Sequence, residues 1–263
     1  MLLTRRNAVM PEFEKEKEQG NDIIAGRNPV IEAVKSGREI DRLLIAHGMT
    51  GGWAAPIIAK CSARGILIKE VSPQKLDYLT GGANHQGIAV MIATQKYYEV
   101  SDILDLAKER NEAPFIIICD EIEDPHNLGA IIRTAEAAGA HGIIIPKRRS
   151  ASLNVTVAKS ASGALEYMRV ARVTNIANEI DKLKEQGVWV FGADMDGDDY
   201  SRTDFTSPCA IVIGNEGKGI GRLVAQKCDG IISLPMFGKI NSLNASVAAG
   251  ILMYAVVRSR SGK

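Results

Sequence analysis

The sequence is short of the features that would fix a class at once. No apolar run approaches the ~20 residues a membrane-spanning helix needs; runs such as LLIAHG and FIIIC are strand-length. The opening stretch, MLLTRRNAVMPEFEKEKEQGND, has neither the apolar core nor the cleavage site of a signal peptide, which sets the expectation of a cytoplasmic protein without membrane contact. Cysteine is sparse. Cys61, Cys119, Cys209 and Cys228 form no C-x-x-C pair, and no histidine stands near them at zinc-finger spacing. Cys119 and Cys209 lie in or beside apolar strand-like runs, so buried reduced thiols are expected and no metal site is. Charge is balanced, with 32 Lys and Arg against 31 Asp and Glu. A net +1 excludes little, because a nucleic-acid binder can hide a basic face in a balanced total.

What remains is an ordinary globular composition over 263 residues, 46% hydrophobic and 24% charged. Residues 1–21 mix charges without apolar periodicity and read as a frayed tail. Residues 22–97 alternate short patterns: a helix starting on Pro29 and stopping at Gly37, a strand in DRLLIAHG, a helix ending at Gly65, and strands in ILIKEV and HQGIAVMIA. Residues 98–112 read as a connecting helix capped by Ser101. From 113 to 263 the βα alternation strengthens: FIIIC, GIIIP, VARV, VWVFGA, CAIVIG and GIISLP alternate with helices, the last running from about Ser242 to Arg258. Short apolar strands between helices predict an α/β fold with a mostly parallel sheet covered on both faces.

Ligands of such sheets bind beyond the carboxyl ends of the strands. That rule selects DEIEDPHNLG after FIIIC, GNEGKG after CAIVI, and PMFGKINSLN after GIISL. The second loop is glycine-rich but is not a Walker A loop, since Gly219 is followed by Ile220 and not by Lys and Ser or Thr. It is not the dinucleotide fingerprint either, because Arg222 stands where a third glycine belongs. Glu216 at its tip repels phosphate and suits a cation or a hydroxyl. In the third loop Asn241, Ser242, Asn244 and Ser246 precede an apolar helix. One such residue is enough to cap a helix, so the surplus is either a turn or a site. In the first loop, Asp124 or Asn127 can cap, and Arg133 and His126 read more simply as surface residues. The cluster PKRRS, with Lys147, Arg148 and Arg149, reads as a solvated loop or a phosphate contact.

Taken together, N-x-G-x-x-x-R (Asn127, Gly129, Arg133), IGNEGKG (Gly214, Glu216, Gly219) and LPMFGKINSLNASVA (Pro235, Met236, Ser242, Leu243, Asn244) resemble, in order and spacing, the three motifs of the SpoU/TrmH family of RNA ribose 2′-O-methyltransferases. GRNPVIEAV and HQGIAV resemble the start and end of the small RNA-binding domain of the family's longer members, a domain similar to a ribosomal-protein fold. The resemblance is nearest to the bacterial 23S rRNA guanosine-2′-O-methyltransferase branch. It implies a SPOUT domain with a deep trefoil knot, an exception to the rule against threaded chains. It also implies a homodimer with the site near the interface, and S-adenosylmethionine as methyl donor with no metal.

The resemblance assigns Asn127, Arg133, Glu216, Ser242 and Asn244 to catalysis. It assigns Gly192, Gly214, Gly219, Leu234, Met236 and Leu243 to the cofactor. Arg27, Asn28 and Gln86 become candidates for RNA recognition, and Lys147, Arg148 and Arg149 for RNA backbone contact. A guanidinium does not give up its proton, so Arg133 suits a bidentate clamp on the phosphate beside the target ribose better than a general base. Asn215 departs from the smaller Ser or Ala expected before the glutamate, a change expected to matter little if the loop backbone does the binding. The rival readings are the same chemistry on tRNA or on another rRNA nucleotide, as in antibiotic-resistance enzymes, and a non-catalytic RNA-binding or ribosome-assembly protein.

Overall fold

The structure, a computed structural model, describes residues 22–240 and 242–262. The expected tail, residues 1–21, and Asn241 lie outside the described residues. The chain divides into two compact units, one up to Thr94 and one from Gln95.

The first unit contains β1 (Ile23–Ala25), α1 (Arg27–Lys35), β2 (Ile40–Ala46), α2 (Ala55–Ala63), β3 (Leu67–Val71), α3 (Pro73–Leu79) and β4 (Ile88–Ile92). Its sheet runs β1-β4-β2-β3, with β2 parallel to β3 and β4 antiparallel to both its neighbours. Successive side chains of a strand face opposite ways. Leu43 therefore enters a core with Val30, Val34, Ile57 and Cys61 of α1 and α2, while Leu44 enters another with Leu76 and Leu79 of α3. The sequence reading did not anticipate α3. Its start signals are present, since Ser72 accepts from the Lys75 amide at 3.2 Å and Pro73 follows, but seven residues are too few to show helical periodicity.

The second unit contains α4 (Val100–Glu109), β5 (Phe115–Cys119), α5 (Pro125–Ala137), β6 (Gly142–Pro146), α6 (Val155–Ala161), β7 (Val170–Val173), α7 (Ile176–Glu185), β8 (Trp189–Asp199), β9 (Cys209–Ile213), α8 (Arg222–Lys227), β10 (Gly230–Ser233) and α9 (Ala245–Ser261). Its six strands are all parallel, in the order β10-β8-β9-β5-β6-β7. Phe115, Ile117 and Cys119 face a core built with α5, α6 and α9, whereas Ile116 and Ile118 face one built with α4, α7 and α8. Every residue of β5, β6 and β9 is buried. That two-sided burial is why these strands read as unbroken apolar runs; a fully buried Ile contributes roughly 1.5–3 kcal/mol.

Several local expectations need correction. The helix expected as a connector, α4, clusters with the second unit. Its cap is Glu99, in a reciprocal box with Asp102, and not Ser101. The last helix begins at Ala245, with Asn244 and not Ser242 at its cap. The basic cluster Lys147–Arg149 is non-helical, and the short α6 that follows it, capped by Asn154, is a helix the sequence reading did not anticipate. Helices α5 and α6 approach so closely that a Cβ on Gly129 would lie 2.4 Å from the Ser160 Cβ and 2.8 Å from the Val157 carbonyl oxygen. Strand β8 outlasts its expected end, and its pairing with β10 jumps from Gly192 to Asp198. Among the described residues no helix is long and apolar enough to cross a membrane.

Candidate active site

Three strand ends of the second unit deliver polar side chains to one place. The chain leaves β5 through Asp120, and Asp124 caps α5 by accepting the His126 amide at 2.8 Å. With Asp124 as the cap, Asn127 falls in the first turn of α5, where it is only 7% exposed. From the loop after β9 comes Glu216, and from the segment after β10 comes Asn244.

These three side chains form a closed set of hydrogen bonds. The Asn127 Nδ2 donates to Glu216 Oε1 at 2.7 Å. The Asn244 Nδ2 donates to the same oxygen at 2.6 Å and to Asn127 Oδ1 at 3.0 Å. The Asn244 Oδ1 is occupied on its other side, accepting from the Ser246 amide at 2.9 Å, the Val247 amide at 3.3 Å and the Ser246 hydroxyl at 2.6 Å. One asparagine thus caps α9 and, because capping uses its oxygen, turns its amide group onto the carboxylate. The polar surplus before the last helix therefore supplies both a cap and a partner for Glu216 and Asn127.

The Glu216 loop is a closed turn. Asn215 and Gly219 exchange backbone hydrogen bonds at 3.0 and 2.8 Å. A Cβ on Gly214 would lie 2.2 Å from the Gly219 carbonyl carbon, and Gly219 has φ +65°. Both glycines are thus needed to fold the turn over on itself. Beside it, Asp120 is buried and accepts the Gly221 amide at 2.8 Å. Burial pushes its carboxyl above the usual range, partly offset by that amide.

The remaining expected residues are spread more widely. Ser242 and Leu243 are exposed, just before Asn244, and Ser242 is outside the closed set. Leu234 packs against the core at the end of β10. The segment after it exposes a strip of apolar side chains, with Met236 38%, Phe237 96% and Ile240 73% exposed. Gly192 does not border open space: a Cβ there would meet Ile220, Ile231 and Cys228 at 3.0–3.2 Å. Arg133 lies six residues beyond Asn127 on α5, which at 100° per residue turns it to another face. It is exposed and donates to the Ser162 hydroxyl at 3.3 Å. Lys147 is half-buried, Arg148 exposed, and Arg149 ion-paired to Glu121 at 2.7 Å.

In the first unit, Arg27, Asn28 and Gln86 are all exposed. Arg27 and Gln86 come together, the Arg27 amide donating to Gln86 Oε1 at 3.1 Å. The Arg27 guanidinium lies 4.1 Å over the Trp53 ring. Sequence reasoning missed Trp53 and Asp120, and it noted Asn215 but gave it no role. The first carries no motif, and the other two reveal themselves only through bonds to residues 101 and 94 positions away. Burial raises the thiols of Cys119 to about 12 and of Cys209 and Cys228 to about 11, so these side chains are neutral and poor nucleophiles.

The arrangement holds a carboxylate by two neutral amides, and an exposed apolar strip lies in the chain segment just before Asn244. Comparison with known proteins agrees with that chemistry. Residues 114–254 match the model of the SpoU rRNA Methylase family, and residues 23–98 match a model described as RNA 2′-O ribose methyltransferase substrate binding. YacO of Bacillus subtilis, assigned by its name to the TrmH family of tRNA/rRNA methyltransferases, is 50% identical over 92% of this chain and 98% of its own length. An AdoMet-bound rRNA methyltransferase from Sinorhizobium meliloti is 25% identical, with TM-score 0.56, over 97% of this chain and 96% of that one. The SpoU methyltransferase AviRb from Streptomyces viridochromogenes, in complex with AdoMet, shares the fold with TM-score 0.60 at 24% identity, over 96% of this chain and all of its own.

Proposed function

The chain belongs to the SpoU rRNA methylase family, and from that premise we propose that it transfers a methyl group from S-adenosylmethionine to the 2′-hydroxyl of a ribose in RNA, with a guanosine of 23S rRNA, free or in a ribosome precursor, as the target. The observation that carries the reading is the closed set of Asn127, Glu216 and Asn244 at the strand ends.

The residues present fit the methyl donor. Met236, Phe237, Ile240 and Leu243 offer an exposed apolar bed for a purine, and Glu216 offers a carboxylate to a cationic sulfonium. Backbone groups near Gly214, Leu234, Met236 and Leu243 would hold it. When bound, it supplies an electrophilic methyl carbon and leaves as a thioether. The protein's own task is alignment, since well-oriented reactants gain roughly 7–11 kcal/mol of barrier. Asn127 and Asn244 fix Glu216, and Ser242 and Asn244 orient the ribose. Arg133 clamps the adjoining phosphate with its planar fork. The hydroxyl proton leaves to phosphate, water or Glu216.

The first unit is the domain that selects the RNA, through Arg27, Asn28 and Gln86, and Lys147 and Arg148 add backbone contacts. A homodimer is supported by Val247, Ile251 and Tyr254, an exposed apolar stripe at i, i+4 and i+7 of α9. The knotted threading is supported by the return of the chain from edge strand β10 to side chains after β5 and β9. We place the protein in the cytoplasm. The relatives' names join tRNA and rRNA, so the deciding experiment is transfer from radiolabelled S-adenosylmethionine to RNA from a deletion strain, with the ribose-methylated position mapped. Label at one 23S guanosine supports the full reading. Label in tRNA or at an adenosine keeps the chemistry and overturns the substrate. No label on any RNA overturns the chemistry in favour of an assembly protein.

A further inference from the structure

We propose that Asn215, the residue that departs from the expected small side chain, is a positioning residue that sets the placement of Glu216 by tethering its turn to the chain segment that carries Asn127. This rests on the reading of Glu216 as part of the methyl-transfer site.

The side chain of Asn215 works in two directions. Its Oδ1 accepts from the amides of Gly217 at 2.9 Å and Lys218 at 3.3 Å, which closes the turn around Glu216. Its Nδ2 donates to the carbonyl of Glu121 at 3.1 Å, 94 residues earlier in the chain. The turn needs only the first set; a serine could supply it. The second ties the turn to the end of β5, three residues before the cap of α5 and six before Asn127. The anchor is itself held. Glu121 has φ +60°, a left-handed conformation that a residue with a side chain keeps only when its surroundings impose it. Its carboxylate is pinned by Arg149 at 2.7 Å, and the next residue, Ile122, accepts the Ala151 amide at 2.8 Å. The Glu216 carboxylate therefore meets Asn127 through two routes, one direct and one through Asn215 and Glu121. Without the second, the turn keeps its shape and loses its height above β5.

Asn215→Asp isolates this tether. It keeps the acceptor for the turn and replaces the donor with a carboxylate facing the Glu121 carbonyl. Asn215→Ser, which is too short to span the gap, is the second variant. The first readout needs no activity: in protein labelled with 15N-asparagine, the side-chain amide resonances of Asn127 and Asn244 report their bonds to Glu216. The second is steady-state methyl transfer. Both variants are expected to move the two amide resonances and to lower kcat about 100-fold, the scale of a 1 Å misplacement. KM for S-adenosylmethionine and RNA should stay within about threefold, and the urea midpoint should stay unchanged. Unmoved resonances with wild-type kcat would overturn the proposal, leaving Asn215 a turn cap. A raised KM for S-adenosylmethionine at constant kcat would overturn it too, in favour of shaping the cofactor loop. A wild-type protein that methylates no RNA sinks the function reading instead, and the resonances alone then decide the tether.

Discussion

The two units solve different problems with similar parts. The first builds a mixed four-stranded sheet, and its candidate residues, Arg27 and Gln86 with Trp53, meet on the surface as a cation, an amide and an aromatic face. The second builds a wholly parallel six-stranded sheet, and its candidate residues meet at strand ends around a carboxylate. A mixed sheet can join its strands by short turns. A parallel sheet returns to the same end after each crossover, so residues 89 and 117 positions apart, Asn127 with Glu216 and with Asn244, arrive together. The proposed division is recognition in the first unit, which matches a substrate-binding model, and alignment in the second, where two amides hold a carboxylate.

The strongest attempt to break that division is to disable alignment alone. Glu216→Gln or Asn244→Ala is expected to lower kcat by about 10²–10³-fold, the range seen when one preorganised polar group is removed from a reacting centre. RNA affinity measured by filter binding should be nearly unchanged. Asn244→Ala also removes the α9 cap, which costs about 1 kcal/mol, so Asn244→Asp, which keeps the capping oxygen, separates the two effects. Equal losses of kcat and of RNA affinity would erase the division. Arg133→Lys comes next. It retains charge and loses the fork, and a severe loss of turnover is expected, smaller than that of Glu216→Gln. Wild-type-like turnover would remove Arg133 from the clamp.

How much of this was legible in the sequence differs between the units for the same physical reason. In the second unit, strands buried on both faces spell themselves out as FIIIC, GIIIP and CAIVI, and glycines close the loops between them. The fold class and the loops that meet follow from those runs. The bonds within the site do not. Nothing in the sequence says that Asn244 spends its oxygen on a cap and its amide on Glu216, that Gly129 serves helix packing, or that Asn215 reaches Glu121. Arg133 shares a motif with Asn127 yet points from another face of α5, because a motif is written along the chain and a site is assembled across it. In the first unit a half-buried Trp53 carries no spacing at all, and only the ring beneath Arg27 draws attention to it.

Recognition can be disabled in turn. Arg27→Glu and Trp53→Ala each remove one half of the stacked pair. If an unpaired base rests on it, roughly 1–3 kcal/mol per stacked base is at stake. The expected result is a KM for RNA raised about tenfold or more with kcat at saturation nearly intact. A fall in kcat with KM unchanged would move the first unit from recognition into alignment. This is the sharper form of the comparison, because it asks each unit to fail in its own parameter.

The smallest effect concerns stability and lies in the second unit. His141 is buried, with Nδ1 accepting the Phe115 amide at 3.0 Å and Nε2 3.0 Å from Glu112. Burial holds its pKa below that of a free histidine, with Arg110 and Arg260 acting the same way and Glu112 opposing. A lowered folded pKa means that, as pH falls through about 6.5, the unfolded chain takes up a proton that the folded chain refuses. The unfolded state then binds more protons, so stability drops with pH across that window. The two tryptophans divide the readout, Trp53 in one unit and Trp189 in the other. In a Trp53→Phe background, Trp189 fluorescence should report a urea midpoint that falls between pH 7.5 and 5.5. His141→Asn keeps an acceptor for Phe115 and does not titrate, so its midpoint should fall less over the same range. Equal falls with and without the histidine would show that acid acts on the second unit through other groups; Asp120 is not among them, because its buried carboxyl is shifted upward, so the folded state takes up that proton more readily and gains stability as pH falls.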